Sequence, residues 1–324
     1  MQRRSFITLL GGAAAAWPVA AGAQRPGMPV IGCLTFERPG TYAPPEFLTG
    51  LSKVGFVEGR NVAIEYHWAN GDYGQFPALA ADFVRRRVSV IFARTSPAAL
   101  AAKAATTSIP IVFTLGGDPV KLGLVANMNR PGGNVTGYST MDNAITAKRL
   151  EMLSELVPQA KTIAFLVNPT NQNADSDTQD VQTAARAIGR QILVVPASND
   201  RGLETAFRTI VNEKIGALLV VTDSALAGLR DQIVALAARH AVPVIYDQKL
   251  YVEAGGLISY NGVFDELQHD AGVYVGRILK GEKPTDLPVL QPTKFDLTLN
   301  LKTAKALGLT VPLTLQVSAT KFIE

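Results

Sequence analysis

From Met28 onward the chain alternates short runs rich in β-branched residues with amphipathic segments of about 10 to 16 residues, and it does so in two series. Runs at 29–35, 61–67, 88–94, 109–115 and 134–138 form the first. Runs at 161–167, 191–195, 216–221, 242–246 and 256–260 form the second. Strand, helix and parallel strand in repetition is the pattern of βαβ units, so the chain is read as α/β with two parallel sheets of five strands each. Most runs are continuously apolar, such as Ile163-Ala164-Phe165-Leu166-Val167, as strands covered by helices on both faces require. Asn61 to His67 instead alternates, with Val62, Ile64 and Tyr66 on one side, which places it toward a sheet edge.

The segments between strands carry helical stripes: Phe47, Leu48, Leu51 and Val54; Phe76, Leu79, Ala80 and Phe83; Leu203, Phe207, Ile210 and Val211; Leu229, Ile233, Leu236 and Ala237. Pro131-Gly132-Gly133-Asn134 reads as a turn into the fifth strand. The chain is then expected to cross to the second sheet near 139–142, to return with a helix over 264–279, and to cross once more after Lys283-Pro284 into a strand over 291–299. The expected organisation is an export signal at 1–23, one Rossmann-like lobe from 26–140 plus 263–290, a second from 141–262 plus 291–324, and a three-segment hinge.

Apolar residues make up 47% and charged residues 18% of the 324, which suits two packed cores and excludes a disordered chain. The net charge of +4 is thinly spread, with no like-charge run longer than Arg85-Arg86-Arg87, so a nucleic-acid partner is not expected. At the front, Arg3 and Arg4, an apolar stretch from Phe6 to Ala20 and the small residues Ala21-Gly22-Ala23 read as a cleaved export signal. Arg3-Arg4-Ser5-Phe6-Ile7 resembles a twin-arginine signal, and an ordinary secretory signal remains the alternative. The expected mature protein is periplasmic and monomeric. Cys33 is the single cysteine, which excludes an internal disulfide. Val30-Ile31-Gly32-Cys33 looks like a lipoprotein box, but Arg25, Pro26 and Pro29 separate it from the apolar stretch, so Cys33 is expected inside a strand.

In open parallel sheets ligands bind outside the carboxyl ends of strands. That rule selects Thr35, Phe36 and Glu37; Arg94, Thr95 and Ser96; Thr114, Gly116, Gly117 and Asp118; Asn168, Thr170 and Asn171; Thr222, Asp223 and Ser224; Tyr246 and Asp247; and Ser259, Tyr260 and Asn261. Ser96-Pro97 and Asp118-Pro119 read as helix caps whose free amides favour an anion, and the planar fork of Arg94 suits a carboxylate. The plainer alternatives are that Ser96 and Asp118 only cap, that Arg94 points to solvent, and that Tyr246 and Tyr260 plug the interface. Trp68, placed away from the cleft, gives little support to a sugar ligand.

No Walker loop, Gly-x-Gly-x-x-Gly turn or Gly-x-Ser-x-Gly elbow occurs. His67, His240 and His269 are widely separated, with only His67 near a strand end, and Asp175 and Asp177 lack the spacing of a calcium loop. No metal or cofactor is expected.

Several motifs together carry a resemblance: Phe47-x-x-Gly50-Leu51, Gly55-Phe56-Val57-Glu58-Gly59-Arg60-Asn61, Ile109 to Phe113 with Asp118-Pro119-Val120, and Arg130-Pro131-Gly132-Gly133-Asn134-Val135-Thr136-Gly137. Lys148-Arg149-Leu150-Glu151, Asn168-Pro169-Thr170-Asn171, Asp286-Leu287-Pro288-Val289 and Thr303 to Leu309 complete it. In their order and spacing the chain resembles substrate-binding proteins of ABC importers, in the group that includes tryptophan- and tyrosine-type binding proteins with the type I periplasmic-binding-protein fold. The resemblance implies two lobes that close over a small solute, a carboxylate-bearing one such as an amino acid or aromatic acid, and deliver it to an inner-membrane permease. It implies no enzyme activity. An exported enzyme using the same cleft, with Asp118 or Asp223 as its acid, and a ligand sensor for a membrane receptor are the competing readings.

Overall fold

The computed structural model describes residues 27–40 and 42–324, so the export signal read at 1–23 lies outside the described residues. The first sheet contains β1 (Val30–Thr35), β2 (Ala63–Trp68), β3 (Val90–Ala93), β4 (Ile111–Leu115) and β5 (Val135–Ser139), all parallel, in the order β2-β1-β3-β4-β5. As its alternating sequence predicts, β2 is an edge strand. Ile31 and Cys33 of β1 face one core while Leu34 faces the other, because successive side chains of a strand point to opposite sides. Helices α2 (Phe76–Arg86) and α3 (Ser96–Ala105) cover the Leu34 side, and α1 (Pro45–Lys53) covers the Cys33 side.

The second half runs α4 (Asp142–Leu156), β6 (Thr162–Val167), α5 (Ala174–Ala187), β7 (Gln191–Pro196), α6 (Asp200–Asn212), β8 (Ala217–Val220), α7 (Ser224–Gly228), α8 (Arg230–Arg239), β9 (Val244–Tyr246), α9 (Lys249–Glu253) and β10 (Ile258–Gly262). The chain then adds α10 (Phe264–Leu279), β11 (Phe295–Asn300), α11 (Leu301–Ala306), α12 (Leu313–Ser318) and β12 (Lys321–Ile323). The second sheet has the order β12-β11-β10-β9-β8-β6-β7. It holds seven strands rather than the expected five, and β11 pairs antiparallel with β10. The return strand was legible in its alternation. The three-residue β12 was too short to produce any.

Helix α10 closes the Cys33 side of the first sheet by crossing α1 at very short range. A Cβ on Gly50 would run into the carbonyl oxygen of His269, and one on Gly272 into that of Phe47. Both positions must be bare for the backbones to approach, which gives the Phe47-x-x-Gly50-Leu51 motif a packing reason. Leu287 and Val289 then join the first-sheet cores before the chain leaves for β11.

Candidate functional site

In each sheet the strand order reverses once on either side of the first strand entered, between β1 and β3 in one and between β6 and β8 in the other. At such a switch point the two flanking loops diverge and leave a crevice at the carboxyl ends of the strands. Thr35 to Glu37 and Arg94 to Ser96 border the first crevice; Asn168 to Asn171 and Thr222 to Ser224 border the second. The two crevices are joined directly. The Tyr73 hydroxyl donates to Asp223 Oδ2 at 2.9 Å, and Asn173 Nδ2 donates to Ser96 Oγ at 3.0 Å. Farther out, Lys121 Nζ lies 3.1 Å from Asp180 Oδ2.

Asp223 organises the second crevice. It caps α7 through a bond from the Leu226 amide (2.9 Å) to Oδ1, which also accepts from Asn168 Nδ2 (3.1 Å). Oδ2 accepts from Asn171 Nδ2 (2.7 Å) and Tyr73. Asn168 Oδ1 in turn receives the amide and hydroxyl of Thr170. Both carboxylate oxygens of Asp223 are thereby taken up by structural donors. Burial, and then the charge of Asp223, hold the Tyr73 phenol well above its ordinary value, so Tyr73 stays a neutral donor.

In the first crevice Thr35 is fully buried; it accepts from Arg94 Nη1 at 3.0 Å and donates to Glu37. Glu37 Oε1 stands 3.6 Å from Arg94 Nη2, so the Arg94 guanidinium has its counter-charge within its own lobe. Two sequence expectations change here. Thr95, not Ser96, caps α3, accepting from the Ala98 amide at 3.2 Å with Pro97 in the first turn; Ser96 is thereby free to meet Asn173. Asp118 starts no helix. It accepts from the amides of Val120 and Lys121 and fixes a turn. Beside it Gly117 leaves room for the cross-lobe bond, since a Cβ there would lie 3.0 Å from Asn173 Nδ2. Gly116 precedes it in the same loop, directly after β4.

The remaining candidates lie along β9 and β10. Tyr246 is fully buried, stacked on Tyr251 with ring centroids 4.6 Å apart, and its hydroxyl has no hydrogen-bond partner among the described residues. Ser259 is buried in β10 opposite Tyr246; Tyr260 is half-buried and stacks on Phe295 at 5.7 Å, and Asn261 Oδ1 accepts from the Gly262 amide. The structure adds a residue that appeared in the sequence only as part of a motif. Arg149, from the middle of α4, is 0% exposed; its Nε donates to the Tyr260 carbonyl at 2.7 Å and its Nη1 to Thr222 Oγ1 at 3.1 Å. No strand-end rule selects a helix-interior arginine, nor Tyr73 in a one-turn 3₁₀ segment.

Trp68 stands closer to the rim than its segment suggested. It ends β2 level with Thr35 and forms an aromatic group with Tyr66 (5.8 Å) and the exposed Tyr42 (6.4 Å). His67 turns away, stacked on Phe83 at 3.9 Å with Nε2 3.3 Å from Asp82. Among the described residues no group of three His, Cys, Asp or Glu side chains is arranged to hold a metal ion, and no helix is long and apolar enough to cross a membrane. Asp175 and Asp177 lie in the first turn of α5.

Comparison with known proteins supplies the context for this geometry. The family model of ABC transporter substrate binding proteins matches residues 37–323. A curated tyrosine-binding protein of Clostridioides difficile (strain R20291) is 29% identical over 263 residues, covering 81% of this chain and 75% of that one. Among solved structures, a conserved domain protein from Vibrio cholerae is 27% identical with a TM-score of 0.82, covering 91% of this chain and 99% of its own. A ligand-free, open substrate-binding protein with adhesive properties from Clostridium difficile is 28% identical with a TM-score of 0.63, covering 91% and 99%.

Proposed function

The chain belongs to the ABC transporter substrate binding protein family, and from that premise we propose that it captures a small carboxylate-bearing solute, foremost an aromatic amino acid, outside the cytoplasmic membrane and hands it to an importer permease. It has the two-lobed architecture of type I periplasmic binding proteins. In our reading the lobes are 26–140 plus 263–290 and 141–262 plus 291–324, and the export signal at 1–23 delivers the chain to the periplasm. The residues that line the cleft are those at the two switch points.

The observation that carries this reading is the pair of hydrogen bonds, Tyr73 to Asp223 and Asn173 to Ser96, that bring two separately packed polar rims onto one shared cleft. Closure is then the working step. Ligand contacts that exist only when both rims are engaged shift the open and closed populations toward closed. The lower overlay on the open C. difficile structure than on the V. cholerae one, at nearly equal identity, supports a difference in lobe placement. The curated tyrosine-binding relative supports an aromatic amino acid.

The enzyme alternative draws no support from its two acids, since Asp223 is committed to four donors and Asp118 to two backbone amides. The test is thermal shift across amino acids and aromatic acids, followed by mass spectrometry of bound and released ligand. A binder returns one equivalent of unchanged ligand. Failure of every carboxylate to raise the melting temperature, or conversion of the ligand, overturns the proposal.

A further inference from the structure

We propose that Arg149 is the cation that receives the carboxylate of the ligand, and so selects solutes that carry one; this rests on the reading of the cleft as a carboxylate-solute site. Arg149 is fully buried, and both of its hydrogen-bond partners, the Tyr260 carbonyl and the Thr222 hydroxyl, are neutral. It enters none of the ion pairs among the described residues. A buried cation that no close ion pair offsets is costly, and an anion brought to it by a ligand reduces that cost. Arg94, the other arginine of the rim, differs in this respect because Glu37 stands beside it.

The free donors point the same way. A guanidinium carries five N–H groups, and the two bonds engage only Nε and one hydrogen of Nη1. Nη2 is buried and has no hydrogen-bond partner among the described residues. One N–H on Nη1 and both on Nη2 remain, which is the end-on fork that takes the two oxygens of a carboxylate. The fork is held at the rim by its partners. Thr222 directly precedes Asp223, which Tyr73 reaches from the other lobe, and Tyr260 belongs to β10 two strands away. The side chain therefore spans the carboxyl ends of β8 to β10, beside the second switch point.

The test compares L-tyrosine, tyramine and a panel of other amino acids and aromatic acids, by thermal shift and calorimetry, on wild type, Arg149→Gln and Arg149→Lys. Wild type is expected to favour L-tyrosine, or whichever panel member binds best, over its carboxylate-free analogue by at least tenfold, the lower range for a charged hydrogen-bonded contact. Arg149→Gln should lose that preference, and Arg149→Lys should keep part of it. A merely structural brace would lower stability without changing the ratio. Stabilisation of wild type by no carboxylate overturns both the cleft reading and this proposal. A carboxylate preference retained in Arg149→Gln overturns this proposal alone. Should Arg149→Gln fail to fold, equal binding of ligand and carboxylate-free analogue by wild type, or an unchanged preference in Arg149→Lys together with loss of neither affinity nor ratio, also overturns it.

Discussion

Tyr73 follows β2 of the first sheet and Asp223 follows β8 of the second, and their 2.9 Å hydrogen bond ties the cap of α7 in one lobe to the switch-point crevice of the other. Tyr73→Phe removes that donor and leaves Asp223 its three others. A hydrogen bond to a charged group contributes about 1.5–3 kcal/mol, and part of it will be replaced by water at the rim. Ligand affinity should fall roughly tenfold, with a melting temperature close to wild type because neither core is touched. Unaltered affinity by calorimetry would remove Tyr73 from the closed state's contacts.

Ser96 and Asp223 separate binding from stability. Ser96→Ala loses one cross-lobe bond, so affinity should drop by about 0.5–1.5 kcal/mol while the melting curve barely moves. Asp223→Ala strips the α7 cap and leaves the Asn168 and Asn171 amides without their acceptor, so stability should also fall, by about 1–3 kcal/mol. Equal melting temperatures for the two variants would contradict the cap.

Gly50→Ala and Gly272→Ala each force the α1 and α10 backbones apart. Overpacking of this kind costs about 1–3 kcal/mol. The expected readout is a lower denaturant midpoint with unchanged slope; a midpoint equal to wild type in both would refute the close crossing.

Alkaline pH should unfold the protein. Burial pushes the Tyr66 and Tyr274 phenols up to about 12, and it holds Tyr246 and Tyr251 above their ordinary value of 10.0, as it does Tyr73 and Tyr138 with help from Asp223 and Asp270. The folded state thus binds these protons more tightly than the unfolded one. Its advantage is complete below about pH 10 and is lost as pH rises through the folded values. Melting temperatures should fall as pH rises beyond about 10, with phenolate absorbance rising late. A simple titration near 10 in a protein that stays folded would count against the buried phenols.

Burial pushes the Cys33 thiol up to about 12, and its side chain lies in the α1/α10 core. A thiol so placed has almost no thiolate at neutral pH. A disulfide reagent should label it only on unfolding; rapid labelling of native protein would exclude this placement.

The fold was largely legible in the sequence because buried parallel strands write themselves as apolar runs, and the alternating Val62, Ile64 and Tyr66 marked an edge. The strand ends were legible too, since the switch-point rule needs only strand order. What the sequence hid was which neighbour a side chain chooses. Thr95 and Ser96 are both good caps, and only the backbone shows that Thr95 turns inward, leaving Ser96 to reach Asn173. Arg149 and Tyr73 were invisible for the same reason. Their roles come from contacts more than 70 residues away along the chain, Arg149 with Thr222 and Tyr73 with Asp223.

The crossing of α10 over α1 also dictates an order of assembly. The half of the molecule that is synthesised first cannot shield the Phe47 side of its sheet until the ribosome has passed residue 279, with the whole β6 to β10 series already made. Closing a loop of that length slows the search for the native state. The leading half is therefore completed only after the β6 to β10 series has been made, and a nascent chain stays unfinished, and threadable, for most of its synthesis.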